Sequence, residues 1–148
     1  MLKRFMIIGH SNSLKELIVS ILETQSFTDS YKANQHMLYG KRTINTPNEY
    51  LECPKLYSAL ISLAQQASII IFVKNVNDEY HHFPPGFSSA FPCKSLGVVL
   101  YSNDYISSTI LDSIDEFKHM GISEENIYTV NYECLDGLNN LSKALSGL

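Results

Sequence analysis

Four short stretches of the chain are apolar without alternation: Arg4 to Ile8, Ser68 to Val73, Leu96 to Leu100 and Ile127 to Val130. A strand with one wetted face alternates polar and apolar residues. A continuous apolar run instead marks a strand covered on both faces, as in a parallel sheet between helices. Between the runs, apolar residues recur every three or four positions, the spacing of a helix with one buried stripe. Leu14, Leu17, Ile18, Ile21 and Leu22 form the first stripe, and Leu56, Leu60, Leu63 and Ala64 the second. Ile110, Leu111, Ile114 and Phe117 form the third, and Leu138, Leu141 and Leu145 the fourth. This alternation predicts right-handed crossovers and an α/β sandwich of three layers, with helices on both faces of a mostly parallel sheet. Two more polar segments, Tyr31 to Leu38 and Lys41 to Asn45 around a Tyr39-Gly40 turn, suit an edge pair of strands.

Composition narrows the function classes. With 148 residues, 45% of them hydrophobic, the chain can bury one good core. No repeat, low-complexity tract or linker divides it, so a single domain over residues 1–148 is expected. The net charge is -4 and only 18% of residues are charged. The basic face that a nucleic acid requires is therefore not expected. Cys53, Cys93 and Cys134 are widely spaced, with no C-x-x-C pair and no metal-ligand rhythm, and read as reduced thiols. The basic N-terminus leads into an apolar run too short for a secretory signal, and no segment approaches the roughly 18 apolar residues of a membrane span. These features predict a cytoplasmic protein that engages neither membrane nor nucleic acid.

Candidate chemistry begins where the first strand ends. A phosphate-binding loop follows a buried strand, opens a helix and reads GxxxxGK[S/T]. Here the equivalent stretch is Gly9, His10, Ser11, Asn12, Ser13, Leu14, Lys15 and Glu16. Gly9 and Lys15 match; Leu14 replaces the second glycine and Glu16 the magnesium-binding hydroxyl. A non-glycine residue held left-handed costs about 1 to 2 kcal/mol. A carboxylate about 4 Å from a phosphate oxygen repels it by roughly 4 kcal/mol at an effective dielectric near 20, a loss of about a thousandfold in affinity. The same residues have a second use, because Ser13-Leu14-Lys15-Glu16 is an S-x-x-E capping box. The helix start would then be closed by the chain's own oxygens. If the loop does work, ATP or GTP would bind with magnesium, Glu16 entering the metal's shell and Lys15 holding the phosphates.

Longer strings lie downstream. Thr46-Pro47, Glu49-Tyr50, Leu56-Tyr57-Ser58-Ala59-Leu60 and Phe83-Pro84-Pro85-Gly86-Phe87 resemble the D-T-P-G-E-Y, L-Y-S-A-L and F-P-P-G-F strings of the EutP/PduV family. That family comprises small Ras-like P-loop proteins of ethanolamine and propanediol utilisation, linked to bacterial microcompartments. The resemblance spans nearly the whole chain and implies a Ras-like sheet of about six strands. It also implies where nucleotide chemistry would sit, and at those positions this sequence departs. The aspartate that helps hold magnesium is Asn45, and the glycine that meets a terminal phosphate is Asn48. The base-reading T-K-x-D segment falls on Leu100-Tyr101-Ser102-Asn103, with Asp104 one place away, and the Ser-Ala pair that backs the base falls near Asn131-Tyr132.

Other residues have blander readings. His81 and His82 are adjacent, so they point apart in a helix or a strand and suit a solvated loop better than a metal. His10 reads as a loop residue with a satisfied hydrogen bond. Glu49 and Glu52 read as solvated carboxylates. The Phe83 to Phe87 turn is either an exposed docking knob or, more commonly for its type, a turn with buried rings. Together these readings predict a pseudo-NTPase with no catalytic residue, no metal site and no resident cofactor. It would bind a protein partner in ethanolamine or propanediol catabolism or its microcompartment. The alternative is a functional ATP- or GTP-binding hydrolase or phosphotransferase.

Overall fold

A computed structural model describes residues 4–9, 18–19, 38–39, 43–46, 54–77, 83–104, 107–134 and 136–146. Six strands form one sheet: β1 (Phe5–Gly9), β2 (Leu38–Tyr39), β3 (Thr43–Asn45), β4 (Ile69–Asn75), β5 (Lys94–Tyr101) and β6 (Ile127–Asn131). Their order across the sheet is β2-β3-β1-β4-β5-β6. β2 runs antiparallel to β3, and every other neighbouring pair is parallel. Among the described residues, three α-helices have defined bounds, α1 (Tyr57–Leu63), α2 (Ser107–Met120) and α3 (Leu138–Ser146), and Ile18 and Val19 are also helical.

The absence of alternation in the strands has a direct cause. Successive side chains point to opposite faces, and both faces are buried. Phe5 and Ile7 of β1, Ile69, Ile71 and Val73 of β4, and Leu96, Val98 and Leu100 of β5 join Ile18, Val19, Leu141 and Leu145 in one core. Met6, Ile8, Ile70, Phe72 and Val99 join Leu60 of α1 and Phe117 and Met120 of α2 in the other. The sheet is thus the middle of three layers, and the architecture is a Ras-like α/β fold.

Some boundaries differ from the sequence reading. Gly9 is still extended, paired with Val73, so β1 runs one residue beyond the apolar run Arg4 to Ile8. Tyr39 belongs to β2, opposite Ile44, rather than to the turn. Of the proposed pair of short strands, only β2 lies at the edge, because β3 also bonds to β1. Residues 31–37 lie outside the described residues.

On α2, Leu111 is 61% exposed, and the inward stripe instead contains Ser113. The Ser113 hydroxyl donates to the Thr109 carbonyl at 3.0 Å, which satisfies it locally and allows burial. α2 ends in a Schellman motif: the Gly121 N–H donates to Lys118 O and the Ile122 N–H to Phe117 O. Gly121 has φ 105, a left-handed conformation in which glycine is favoured.

The Phe83 to Phe87 turn buries its rings. Phe83, Phe87 and Phe91 surround Phe72, with centroid separations of 5.5, 5.9 and 5.7 Å, and Phe83 stacks on Phe117 at 5.9 Å. The turn also caps α2, since the Gly86 N–H donates to His119 O and the Ser88 hydroxyl to Met120 O.

β6 forms the other edge of the sheet, and its outer side is tied down at both ends. Its Asn131 N–H donates to Asp136 O, and its Ile127 N–H to Glu124 O. Gly137 lies so close that a Cβ there would stand 2.2 Å from Thr129 O.

Candidate functional site

Parallel strands bring their C-terminal ends to one side, and ligands of open α/β sheets bind in the crevice outside those ends. Gly9 closes β1 there and Asn45 closes β3, held in register with Ile7. Thr46, the next residue, is buried and fastened to β1: its N–H and its hydroxyl both donate to Ile7 O, at 3.2 and 2.9 Å. The start of the Thr46-Pro47 string is therefore a structural fixture between two strands. His10, Ser11, Asn12, Ser13, Leu14, Lys15 and Glu16 of the loop lie outside the described residues, as do Asn48, Glu49, Glu52, Cys53, His81 and His82.

The ends of β5 and β6 are joined by a circuit of hydrogen bonds. Asn103, exposed in the turn after β5, donates from its backbone N–H to Glu133 Oε1 at 3.3 Å and from Nδ2 to Glu133 Oε2 at 3.1 Å. Asn131 Nδ2 donates to Asn103 Oδ1 at 2.9 Å, and Asn131 Oδ1 accepts from the N–H groups of Glu133 and Cys134. The Tyr132 N–H donates to Tyr101 O. Asn103 and Asn131, noted separately in the sequence, are thus brought together; Asp104 is exposed beside them.

Glu133 is a residue the sequence reading missed. Nothing local marks it, because its role depends on the parallel pairing that sets the turn after β6 beside the turn after β5.

A second missed pair lies deeper. Lys74 continues β4 past its apolar run, with Nζ 3.3 Å from both carboxylate oxygens of Glu116 on α2, and these side chains are 5% and 12% exposed. It links the sheet to a helix and carries no indication of a ligand.

Among the described residues, no group of three or more His, Cys, Asp or Glu side chains could hold a metal ion. Among them, too, no helix is long and apolar enough to cross a membrane. Cys93 and Cys134 are free thiols. Burial pushes the Cys93 thiol above its ordinary pKa of 9.0, against a smaller opposing effect from a backbone hydrogen bond.

Comparison with known proteins adds the family. Residues 2–146 match the PduV-EutP family model, described as ethanolamine utilisation and propanediol utilisation. The chain is 35% identical over 98 residues to the propanediol utilization protein PduV of Citrobacter freundii, covering 66% of this chain and 64% of that protein. It is 29% identical over 85 residues to a protein of Escherichia coli K12 named "Probable acetate kinase EutP", covering 57% of this chain and 53% of that one. The matched segments thus span less than two thirds of either relative's length. Among solved structures, a bacterial selenocysteine-specific elongation factor, EF-Sec, superposes with a TM-score of 0.59 at 15% identity, covering 100% of this chain and 29% of that one. The translation elongation factor SelB of Methanococcus maripaludis gives 0.56 at 13%, covering 99% and 34%. At such identities these two speak for the Ras-like fold alone.

Proposed function

Because this chain belongs to the PduV-EutP family of ethanolamine and propanediol utilisation, we propose that it serves that metabolism as a binding protein whose nucleotide site is degenerate. The observation that carries the reading is the Asn103–Glu133 contact: donors at a strand end, where a ligand would lie, already hold a carboxylate of the protein itself. Asn45 adds to it, since a carboxamide at the end of β3 brings no charge to a magnesium ion. These residues do not fit a magnesium nucleotide. The S-x-x-E string at Ser13 to Glu16 points the same way, because a capping box uses up helix N-terminal amides that would otherwise bind an anion. The role left to the molecule is recognition of a protein partner of that catabolism, in the cytoplasm or at a microcompartment.

A second reading is favoured by one finding, the kinase name of the Escherichia coli relative. Under it the chain binds ATP or GTP as a phosphotransferase or hydrolase, with Lys15 on the phosphates. Melting temperature with and without millimolar Mg-ATP or Mg-GTP separates the two. A ligand at 100 times its dissociation constant adds about 2.7 kcal/mol of stability. No shift is expected; a clear rise, abolished by Lys15→Ala, would overturn the degenerate-site reading.

A further inference from the structure

We infer that Glu133 is an internal stopper, an autoinhibitory carboxylate that closes the strand-end mouth between β5 and β6 against a nucleoside; the inference rests on the reading of this crevice as a former nucleotide site. Three features of the contact carry it. First, the grip is two-pronged, with the backbone N–H and the Nδ2 of Asn103 each meeting a different oxygen of one carboxylate. Those two donors would suit any group with two adjacent acceptors, a carboxylate or the O6/N7 edge of guanine, and the protein supplies the carboxylate. Second, the stopper is held at its root. Asn131 Oδ1 accepts from the Glu133 and Cys134 N–H groups while Asn131 Nδ2 orients Asn103, so one amide aligns both partners. Third, Glu133 and Asn103 are both exposed whereas Asn131 is buried. The side chain can therefore swing outward without opening either core, and the frame that receives it stays in place.

Removing the stopper should expose a site that the wild-type chain hides. Each contact to a charged acceptor contributes modestly at a wet surface, so Glu133→Ala should bind guanosine, whose O6 and N7 are adjacent acceptors, about tenfold more tightly than wild type, and adenosine, which lacks such an edge, with a smaller gain. Nucleosides are the chosen probes because they lack phosphates and do not engage the loop at Gly9 to Glu16. Affinity is read by ligand-observed NMR titration of the full chain, with sodium acetate as a parallel arm and circular dichroism to check folding. Hydrogen exchange at the Asn103 N–H should quicken in the variant.

Equal nucleoside affinity in both proteins, binding detected in neither, a gain for acetate alone, or unchanged Asn103 exchange would each overturn the inference. Should Glu133→Ala not fold, Glu133→Gln, which keeps the length and only one acceptor oxygen, is judged by the same criteria. Failure here leaves the degenerate-site reading standing if Mg-ATP and Mg-GTP do not shift the wild-type melt. A shift in that melt would sink the reading whatever Glu133 does.

Discussion

Single residues decide several local outcomes, and Cys93 is the one whose behaviour depends on pH. Its thiol, partly buried beside the Ala64 carbonyl, ionises less readily in the folded chain than in the unfolded one. Stability from this group is fully present below the ordinary thiol pKa of 9.0 and is lost as pH rises from there through the higher folded value. The urea midpoint should therefore fall more steeply between pH 8 and pH 10 in wild type than in Cys93→Ala. Equal slopes would show that the burial has no such effect. Gly137, at φ 86 with Thr129 O in the space of a would-be Cβ, gives a sharper test. Strain and overpacking together predict that Gly137→Ala costs about 3 kcal/mol, measured by denaturant titration. The sequence could flag Cys93 as a lone thiol but could not reveal its depth, and Gly137 carried no motif at all. Leu111 and Ser113 show the same limit, because hydrophobicity alone ranks them the wrong way round; the face that packs inward decides, and a hydrogen bond to Thr109 lets Ser113 be buried there.

At the scale of elements, β1, β4 and β5 were legible because burial on both faces writes itself as an unbroken apolar run, and β6 was legible too although its first three residues are only partly buried. β2 and β3 are only two and three residues long, and their pairing rests on neighbours rather than on their own composition. The helix stripes were legible at Leu60, Phe117, Leu141 and Leu145, all buried. What no pattern announced is how elements are tied to each other. Lys74 and Glu116 join β4 to α2 across 42 positions of sequence. Removing one partner of a buried pair costs about 3 to 5 kcal/mol, whereas replacing both by apolar residues is often neutral. Lys74→Met should accordingly lower stability by about that amount, and adding Glu116→Leu should restore most of it. A double variant no better than the single would mean the pair does not act as a unit.

For the molecule as a whole, both cores are built on alternate residues of the same strands, β1, β4 and β5. Neither can lose its sheet without exposing the other. Unfolding should then be one cooperative transition, with far-ultraviolet and near-ultraviolet circular dichroism coincident in urea; two separated midpoints would contradict this. The family and the Ras-like architecture were legible from strings such as Phe83-Pro84-Pro85-Gly86-Phe87, which the fold uses as packing and as a helix cap. The candidate site was legible only in outline. Asn45, Asn103 and Asp104 stood out because they depart from a pattern, but a departure says what is missing and not what has taken its place. The replacement, Glu133, comes from a different strand end and becomes visible only when β5 and β6 are laid side by side.

The tied-down flank of β6 bears on how copies of the molecule can meet. A foreign strand seeking to lengthen the ribbon on that side would first have to evict Asp136 and Gly137 from Asn131 and Thr129, and to break the Ile127 link to Glu124. Growth of the sheet from one copy into the next is therefore disfavoured at this margin.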